Sequence, residues 1–307
     1  MRIVSYNVRY FGHGLKGLAS TAKSKTRIAN ALAGLAPLAD IVALQEVETR
    51  SIRAGLAHRG GAENETQLEA FMRHLGAQLA AAGSPQTYKA TYFPAHAYQL
   101  GGVKFYTTGL AMLINTATLG IVGDRVSDPF PITFHSSQRL RKVKQTRIAA
   151  HLRLEDKKGR KFHVFNTHLS LPTPWAVEFW KQDVRMGFGA NQLSESKAVL
   201  EYAKVTAGTE PFIVCGDLNS APTSPVYRYF TEQEKLHGAQ AVLKQIDPSR
   251  PDSFATAGFM RWRMHLDHVF GRGVEFIDLD DTHAFGTPKS VFNGLSDHVP
   301  LITRFDF

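Results

Sequence analysis

Carboxylates, amides and imidazoles stand at the ends of short apolar runs in this chain: Asn7 in SYNV, Glu46 in LQEV, His168 in NTHL, Asp217 and Asn219 in GDLN, and Asp297 with His298 in SDH. Taken singly, each is an ordinary strand end, because an acid after a strand is usually solvated there and GDLN reads equally well as a turn. Gathered on one rim of packed sheets, they would form an oxygen-rich site for a hard cation with imidazoles beside it. The donor types choose among metals. Glu, Asp and Asn oxygens, without cysteine ligands or a closely spaced histidine pair, suit Mg2+ or Mn2+ and argue against zinc. Magnesium keeps several waters and takes one or two carboxylates plus substrate phosphate oxygens, which points to phosphoryl chemistry.

The elements that must position these groups are legible as short runs rich in β-branched and aromatic residues, bounded by Gly, Pro, Asn or Asp. Strands are expected at Ile3 to Val8, Ile41 to Gln45, Thr87 to Phe93, Gly109 to Ile114, Arg147 to Leu154, Phe162 to Leu169, Pro211 to Cys215, His265 to Phe270 and Val299 to Phe305. Apolar residues at three- and four-residue intervals predict helices over Ser24 to Leu38, Glu63 to Ala82, Asn191 to Ala207 and Glu232 to Ile246. Alternating runs such as His163 to Thr167 beside the solid run IVAL imply strands buried to different degrees. An α/β architecture of two stacked sheets covered by helices accommodates both. No Gly/Ser- or Pro-rich linker and no repeat divides the chain, so residues 1–307 read as a single domain. Ser51 to Gly61, Gln99 to Thr107 and Ser170 to Ala190 read as long irregular loops, the kind that carry function.

Composition limits the rest. With 43% hydrophobic and 21% charged residues over 307 positions, the chain lies in the globular range and away from disordered composition. Its one cysteine, Cys215, excludes an intramolecular disulfide framework and reads as a buried strand thiol. The start lacks the apolar stretch of a secretory signal, and no run approaches the roughly 18 residues of a membrane span, so a cytoplasmic location is expected. Net charge is +9 and uneven: Arg139 to Lys161 holds ten Lys or Arg against two acids, which favours a polyanionic partner.

SYNV, LQEV, NTHL, GDLN, the HLDH segment around Asp267 and the terminal SDHVP, in this order, resemble the endonuclease/exonuclease/phosphatase superfamily across nearly the whole chain. The resemblance implies a four-layer sandwich, two mixed β-sheets packed face to face with helices outside, and metal-dependent hydrolysis of a phosphoester. It implies Glu46 as the principal magnesium ligand, with Asn7 and Asp297 lining the same metal region. Asp217 and Asn219 would flank the attacked phosphorus, and His168 would donate to a non-bridging oxygen. His298 would sit against the phosphate with Asp267 bonded to its far nitrogen, fixing tautomer and orientation. Whether Asp217 or the Asp267–His298 pair is the base stays open, as does one metal against two. Arg147 reads as a phosphate contact or as a basic residue on a sheet edge. His265, His268, His13, His96, His135 and His163 read as packing or rim residues.

The family cleaves nucleic acids, nucleotides, phosphoinositides and sphingomyelin, so loops must choose the substrate. The stretch after His168 carries Trp175, Phe179 and Trp180 with Lys181 and Arg185, and MRWRMH carries Arg261, Trp262 and Arg263. Aromatics interleaved with cations suit base stacking with phosphate binding, a membrane interface, or plain loop packing. GDLNSAPTSPVY resembles the pattern of deadenylase-like and many bacterial members, and with the charge it favours a nucleic acid or nucleotide substrate, with Trp180, Arg185, Trp262 and Arg147 as contacts. A phospholipid or phosphoinositide phosphatase, or a sphingomyelinase-like enzyme, is the second reading. A non-catalytic nucleic-acid-binding module is the third, and the retained Glu46, Asp217 and His298 argue against it.

Overall fold

The structure, a computed structural model, describes residues 1–11, 22–47, 65–100, 103–123, 128–133, 146–172, 186–243, 254–259 and 262–307. Fifteen strands are present among them. In chain order they are β1 (Arg2–Asn7), β2 (Ile41–Val47), β3 (Tyr88–Leu100), β4 (Val103–Asn115), β5 (Leu119–Ile121), β6 (Phe130–Pro131), β7 (Ile148–Asp156), β8 (Lys161–His168), β9 (Phe212–Asp217), β10 (His237–Gly238), β11 (Ala257–Phe259), β12 (Trp262–Met264), β13 (Asp267–Arg272), β14 (Glu275–Leu279) and β15 (Leu301–Asp306). The first sheet runs β14-β15-β1-β2-β4-β3; the second runs β10-β13-β9-β8-β7-β5, with β6 paired to β7. β11 and β12 form a separate hairpin.

The expected four layers follow from how the rows of side chains are used. Ile3, Ile41, Ala43, Met112, Val164, Ile213, Cys215 and Val269, drawn from both sheets, fill one buried interior between them. The alternate residues face outwards onto helices. Helix α1 (Ala22–Ala33) and helix α2 (Gln67–Ala81) set Ile28, Leu32, Phe71 and Leu75 against Val4, Tyr6, Val42 and Leu44. Helix α3 (Ala190–Ala207) sets Val199, Leu200 and Ala203 against Phe165, Phe212, Val214 and Phe270. Thr66 caps α2 through a reciprocal bond with Glu69, which fixes where that helix starts. Two short helices, α4 (Pro225–Arg228) and α5 (Ala239–Val242), complete the second sheet's cover.

Two sequence expectations are corrected. Glu232 to Ile246 is not one helix: a single wide turn over Tyr229–Gln233 ends where Lys235 takes φ +55° and Leu236 N–H donates to Phe230 O at 2.9 Å. The next residues pair with β13 instead, Gly238 packing against the Phe270 ring, so sheet pairing overrides helical periodicity. Gln99 to Thr107 is likewise no irregular loop. β3 and β4 pair through it to Leu100 opposite Val103, and the two intervening residues, Gly101 and Gly102, are the sequence signal of a tight hairpin. Ser51 to Gly61 lies outside the described residues.

Cys215 is fully buried, and burial pushes its thiol up to about 12, as suits a packing residue. Beside it in the sheet, Thr167 of β8 faces Gly216 of the parallel β9 so closely that a Cβ on Gly216, at φ +142°, would lie 1.9 Å from Thr167 O. On the outer face His151 stacks on Phe165 and bonds His163 at 2.8 Å, while His163 bonds Glu210 at 2.9 Å. Burial, reinforced by the neighbouring His163 and Arg153, pushes His151 down to about 3.

Gly216→Ala should cost about 2 to 4 kcal/mol in denaturant unfolding, because neither the backbone nor Thr167 can give way. His151 is neutral when folded but takes up a proton below about pH 6.5 when unfolded, so its contribution to stability is present above that pH and is lost as pH falls towards 3. Melting temperatures taken from pH 7 to pH 4.5 should therefore fall, and His151→Gln should flatten that slope; an unaltered slope would locate the acid sensitivity elsewhere.

Candidate active site

The inner rows that fill the core run out, at one rim, into polar side chains. Ile3 and Ser5 lead to Asn7 on β1, Val164 and Asn166 to His168 on β8, and Ile213 and Cys215 to Asp217 on β9. Because β8 and β9 are parallel, their C-terminal ends coincide and His168 stands opposite Asp217. Because β13 is antiparallel to β9, its first residue, Asp267, stands opposite the same Asp217. Asn7 closes the gap between the sheets: its Nδ2 donates to Asp217 Oδ2 at 3.0 Å and to Glu46 Oε1 at 3.3 Å.

Glu46 reaches this rim only through a distortion. Gln45 already points into the interior, where its Nε2 donates to Asn166 Oδ1 at 2.8 Å, so strict alternation would turn Glu46 outwards beside Leu44. The β2–β4 register slips between Leu44 and Val47, and Glu46 takes φ +54°, an unfavourable region for a residue with a side chain. That bulge swings its carboxylate back towards Asn7. Burial first, and then the Asp297 charge, raise the Glu46 carboxyl above its ordinary range.

GDLN is both the turn and the site. Asn219 adopts φ +46°, its N–H donates to Asp217 Oδ1 at 2.9 Å, and its Nδ2 donates to Leu169 O at 2.9 Å. From α3, Gln192 Nε2 donates to Asn219 O at 2.8 Å and holds the turn from behind. SDH is fixed in the same manner: Ser296 Oγ donates to Asn7 O at 2.8 Å, anchoring the segment that delivers Asp297 and His298.

His298 Nδ1–H donates to the fully buried Asp267 at 2.8 Å, and its Nε2 lies 3.6 Å from Asp217 Oδ2. Burial disfavours the imidazolium, but Asp267 and Asp217 outweigh it and hold His298 well above its ordinary value. Burial drives Asp217 upwards despite the facing imidazolium. His168 is held well below its ordinary value, by burial first and then by the Arg147 charge. Its Nε2 lies 3.5 Å from Asp217 Oδ2 and 4.0 Å from Glu46 Oε1.

Glu46, His168, Asp217, Asn219, Asp297 and His298 line a cavity of about 500 Å³ together with the apolar Leu171, Met186, Met264 and Leu266. Arg9, Tyr10 and Arg147 also face it. Arg9, Tyr10 and Phe11 carry positive φ in succession, and this left-handed turn brings the Arg9 guanidinium onto Asp297. Sequence reading passed over Arg9 although it follows Asn7 by two positions, since nothing in SYNVR signals a left-handed turn. Arg147 is not on a sheet edge: β6 and β8 flank the start of β7, and Arg147 faces the cavity. His265 and His268 are buried packing residues, bonded to Phe254 O and to Ser220 O respectively.

Asp217, Asp267 and His298 offer metal-binding atoms within 4.8 Å of one another. Asp267 Oδ2 and His298 Nδ1 are committed to each other, however, so the cavity-lining carboxylates of Glu46 and Asp297 are the better match to a hard divalent cation. Asn7 turns its amide nitrogen to the carboxylates and accepts from Arg9 N–H with its oxygen at 3.0 Å. Trp175, Phe179, Trp180, Lys181 and Arg185 lie outside the described residues, as do His13, His135 and Arg261. Trp262 is placed by its backbone in β12, and its side chain, like that of His96, is outside the description.

Comparison with known proteins agrees with this fold. The model of the Endonuclease/Exonuclease/phosphatase family matches residues 4–298. Human Nocturnin is 29% identical over 177 residues, a match covering 54% of this chain and 38% of that protein, so it spans well under half of the relative's length. The human Nocturnin catalytic domain with bound sulfate anion superposes with a TM-score of 0.64 at 22% identity, over 100% of this chain and 93% of that one. A family protein from Leptotrichia buccalis superposes with a TM-score of 0.67 at 16% identity over the full length of both chains. At those identities the superpositions establish the shared fold.

Asp267→Asn should bring the His298 pKa down, since it removes the largest of the charges that hold the imidazolium. An NMR titration of the His298 ring measures this, and an unmoved pKa would assign that role to Asp217.

Proposed function

The chain belongs to the endonuclease/exonuclease/phosphatase family, and from that membership and the architecture of its rim we propose that it is a Mg2+-dependent phosphodiesterase, a nuclease acting on nucleic acid or nucleotides, with Mn2+ as a possible substitute. The observation that carries this reading is the meeting of Glu46, His168, Asp217, Asn219 and His298 on one cavity, with Asn7 bonded to Asp217 and Asp267 to His298. The metal would be held by Glu46 with Asp297, in a region that Asn7 organises. When bound it would supply positive charge against the phosphate oxygens and the departing alkoxide.

The chain's own residues divide the remaining work by electrostatics. His298, kept protonated by Asp267, donates from Nε2 to a phosphate oxygen and offsets the negative charge that builds there as the transition state forms. Asp217, fixed by Asn7 and by the Asn219 N–H and raised by burial, accepts the proton of the attacking water. The water oxygen bonds to phosphorus as the ester P–O bond breaks in line, and Asn219, beside Asp217, holds the water or a phosphate oxygen. This arrangement favours Asp217 over the Asp267–His298 pair as the base. The +9 charge and the two cavity arginines favour a polyanion, and the apolar residues among the cavity's lining suit a base or nucleoside beside the phosphate.

Hydrolysis of single-stranded and duplex DNA, RNA, nucleotides, sphingomyelin and a phosphoinositide, with Mg2+, with Mn2+ and with chelator, tests the reading. Asp217→Asn serves as the control. Cleavage of nucleic acid or nucleotides should appear with metal only, and the variant should lose about 10³-fold in kcat. Turnover confined to lipid would overturn the substrate class, and activity in Asp217→Asn equal to wild type would overturn its role as base.

A further inference from the structure

His168 Nδ1 lies 3.0 Å from Arg147 Nη1. A guanidinium has only donors and keeps its proton at any ordinary pH, so in this contact the ring nitrogen must accept. A neutral imidazole that accepts at Nδ1 carries its proton on Nε2. That edge is the one facing Asp217 Oδ2 at 3.5 Å and Glu46 Oε1 at 4.0 Å, within the wall of the cavity. Asn219 Nδ2, which gives one N–H to Leu169 O, lies 3.2 Å from Nε2; a neutral ring cannot accept at both nitrogens, and the shorter, charged Arg147 contact takes the accepting nitrogen. The Nε2–H is therefore left for an oxygen anion in the cavity.

We propose that Arg147 is a positioning residue: it locks His168 in the Nε2–H tautomer, so that the ring presents one fixed hydrogen-bond donor to a substrate oxygen. The tautomer itself is independent of any reaction; its use on a phosphate oxygen rests on the phosphoester reading above.

The surroundings hold both partners in place. Glu195, buried on α3, accepts from Ser170 N–H at 2.8 Å and Ser170 Oγ at 2.7 Å, two residues beyond His168. The same carboxylate accepts from Thr133 Oγ1 at 3.1 Å, and Thr133 Oγ1 accepts from Arg147 N–H at 2.9 Å. Ile132 N–H donates to Arg147 O at 2.9 Å and closes the clamp. One carboxylate thus ties the backbone entering β7 to the backbone leaving β8, the two strands being paired with Ala149 opposite Thr167.

The test is ¹⁵N NMR of histidine-labelled, metal-free protein, with His168 assigned by its absence in His168→Gln. Wild type should show a neutral ring with the proton on Nε2. Arg147→Gln keeps a neutral N–H donor and should preserve that signature, whereas Arg147→Met should shift it towards the Nδ1–H form. On bis-p-nitrophenyl phosphate with Mg2+, Arg147→Met should fall about tenfold or more below Arg147→Gln in kcat, with KM values of the two within about threefold. Arg147→Ala replaces Arg147→Met if melting curves show that the latter does not fold. A wild-type His168 protonated on Nδ1 overturns the proposal without any variant. So does an unshifted tautomer in Arg147→Met, or an equal loss in both variants carried by KM, which would make Arg147 a direct phosphate contact. If wild type itself hydrolyses nothing while the tautomer responds as described, the positioning role stands and the phosphoester reading fails.

Discussion

Two sheets packed face to face give the inner rows of their strands one place to become polar, the rim where the interior meets water. Everything chemical in this protein follows from the register at that rim. The parallel pairing of β8 with β9 sets His168 beside Asp217, and the antiparallel β13 brings Asp267 to the same position from the opposite direction. Had β13 run parallel, its first residue would stand at the far end of the core. The Asn7 amide then ties the first sheet to the second by donating to Asp217, so the relative placement of the sheets is read out directly in the geometry of one carboxylate.

The same rim explains the electrostatics. Glu46 and Asp217 are packed into a partly dry cleft and bridged by one uncharged donor, so burial pushes both upwards. Positive charge is supplied from behind and from the side: His298 is kept an imidazolium by Asp267, Arg147 stands behind His168, and Arg9 reaches across to Asp297. Among the described residues none of these three cations is hydrogen-bonded to Glu46, which fits the metal-ligand role proposed for that carboxylate.

Much of this was legible in the sequence because period-2 alternation fixes which strand residues face inwards, and the polar residues at Asn7, His168 and Asp217 continue inward rows. Glu46 was legible by residue type, but its arrival at the rim depends on a bulge that alternation cannot anticipate. The segment from Glu232 failed for a complementary reason: its apolar spacing is helical, but pairing of His237 and Gly238 with β13 decided the backbone. For Arg147 a sheet-edge position stayed open beside a phosphate contact, because β6 is only two residues long and leaves no recognisable pattern in the sequence. Asp267 and His298 lie 31 positions apart, and only the fold brings them within 2.8 Å.

The seam between Thr167 and Gly216 admits no side chain, and the turns that present Asn219 and His298 are anchored to α3 and to β1. Reacting groups held in this way are insensitive to what the chain does after it leaves the rim. On the function proposed above, a scaffold of this kind can exchange the loops around its rim for others, and so change the ester it accepts, while the groups at the rim stay as they are.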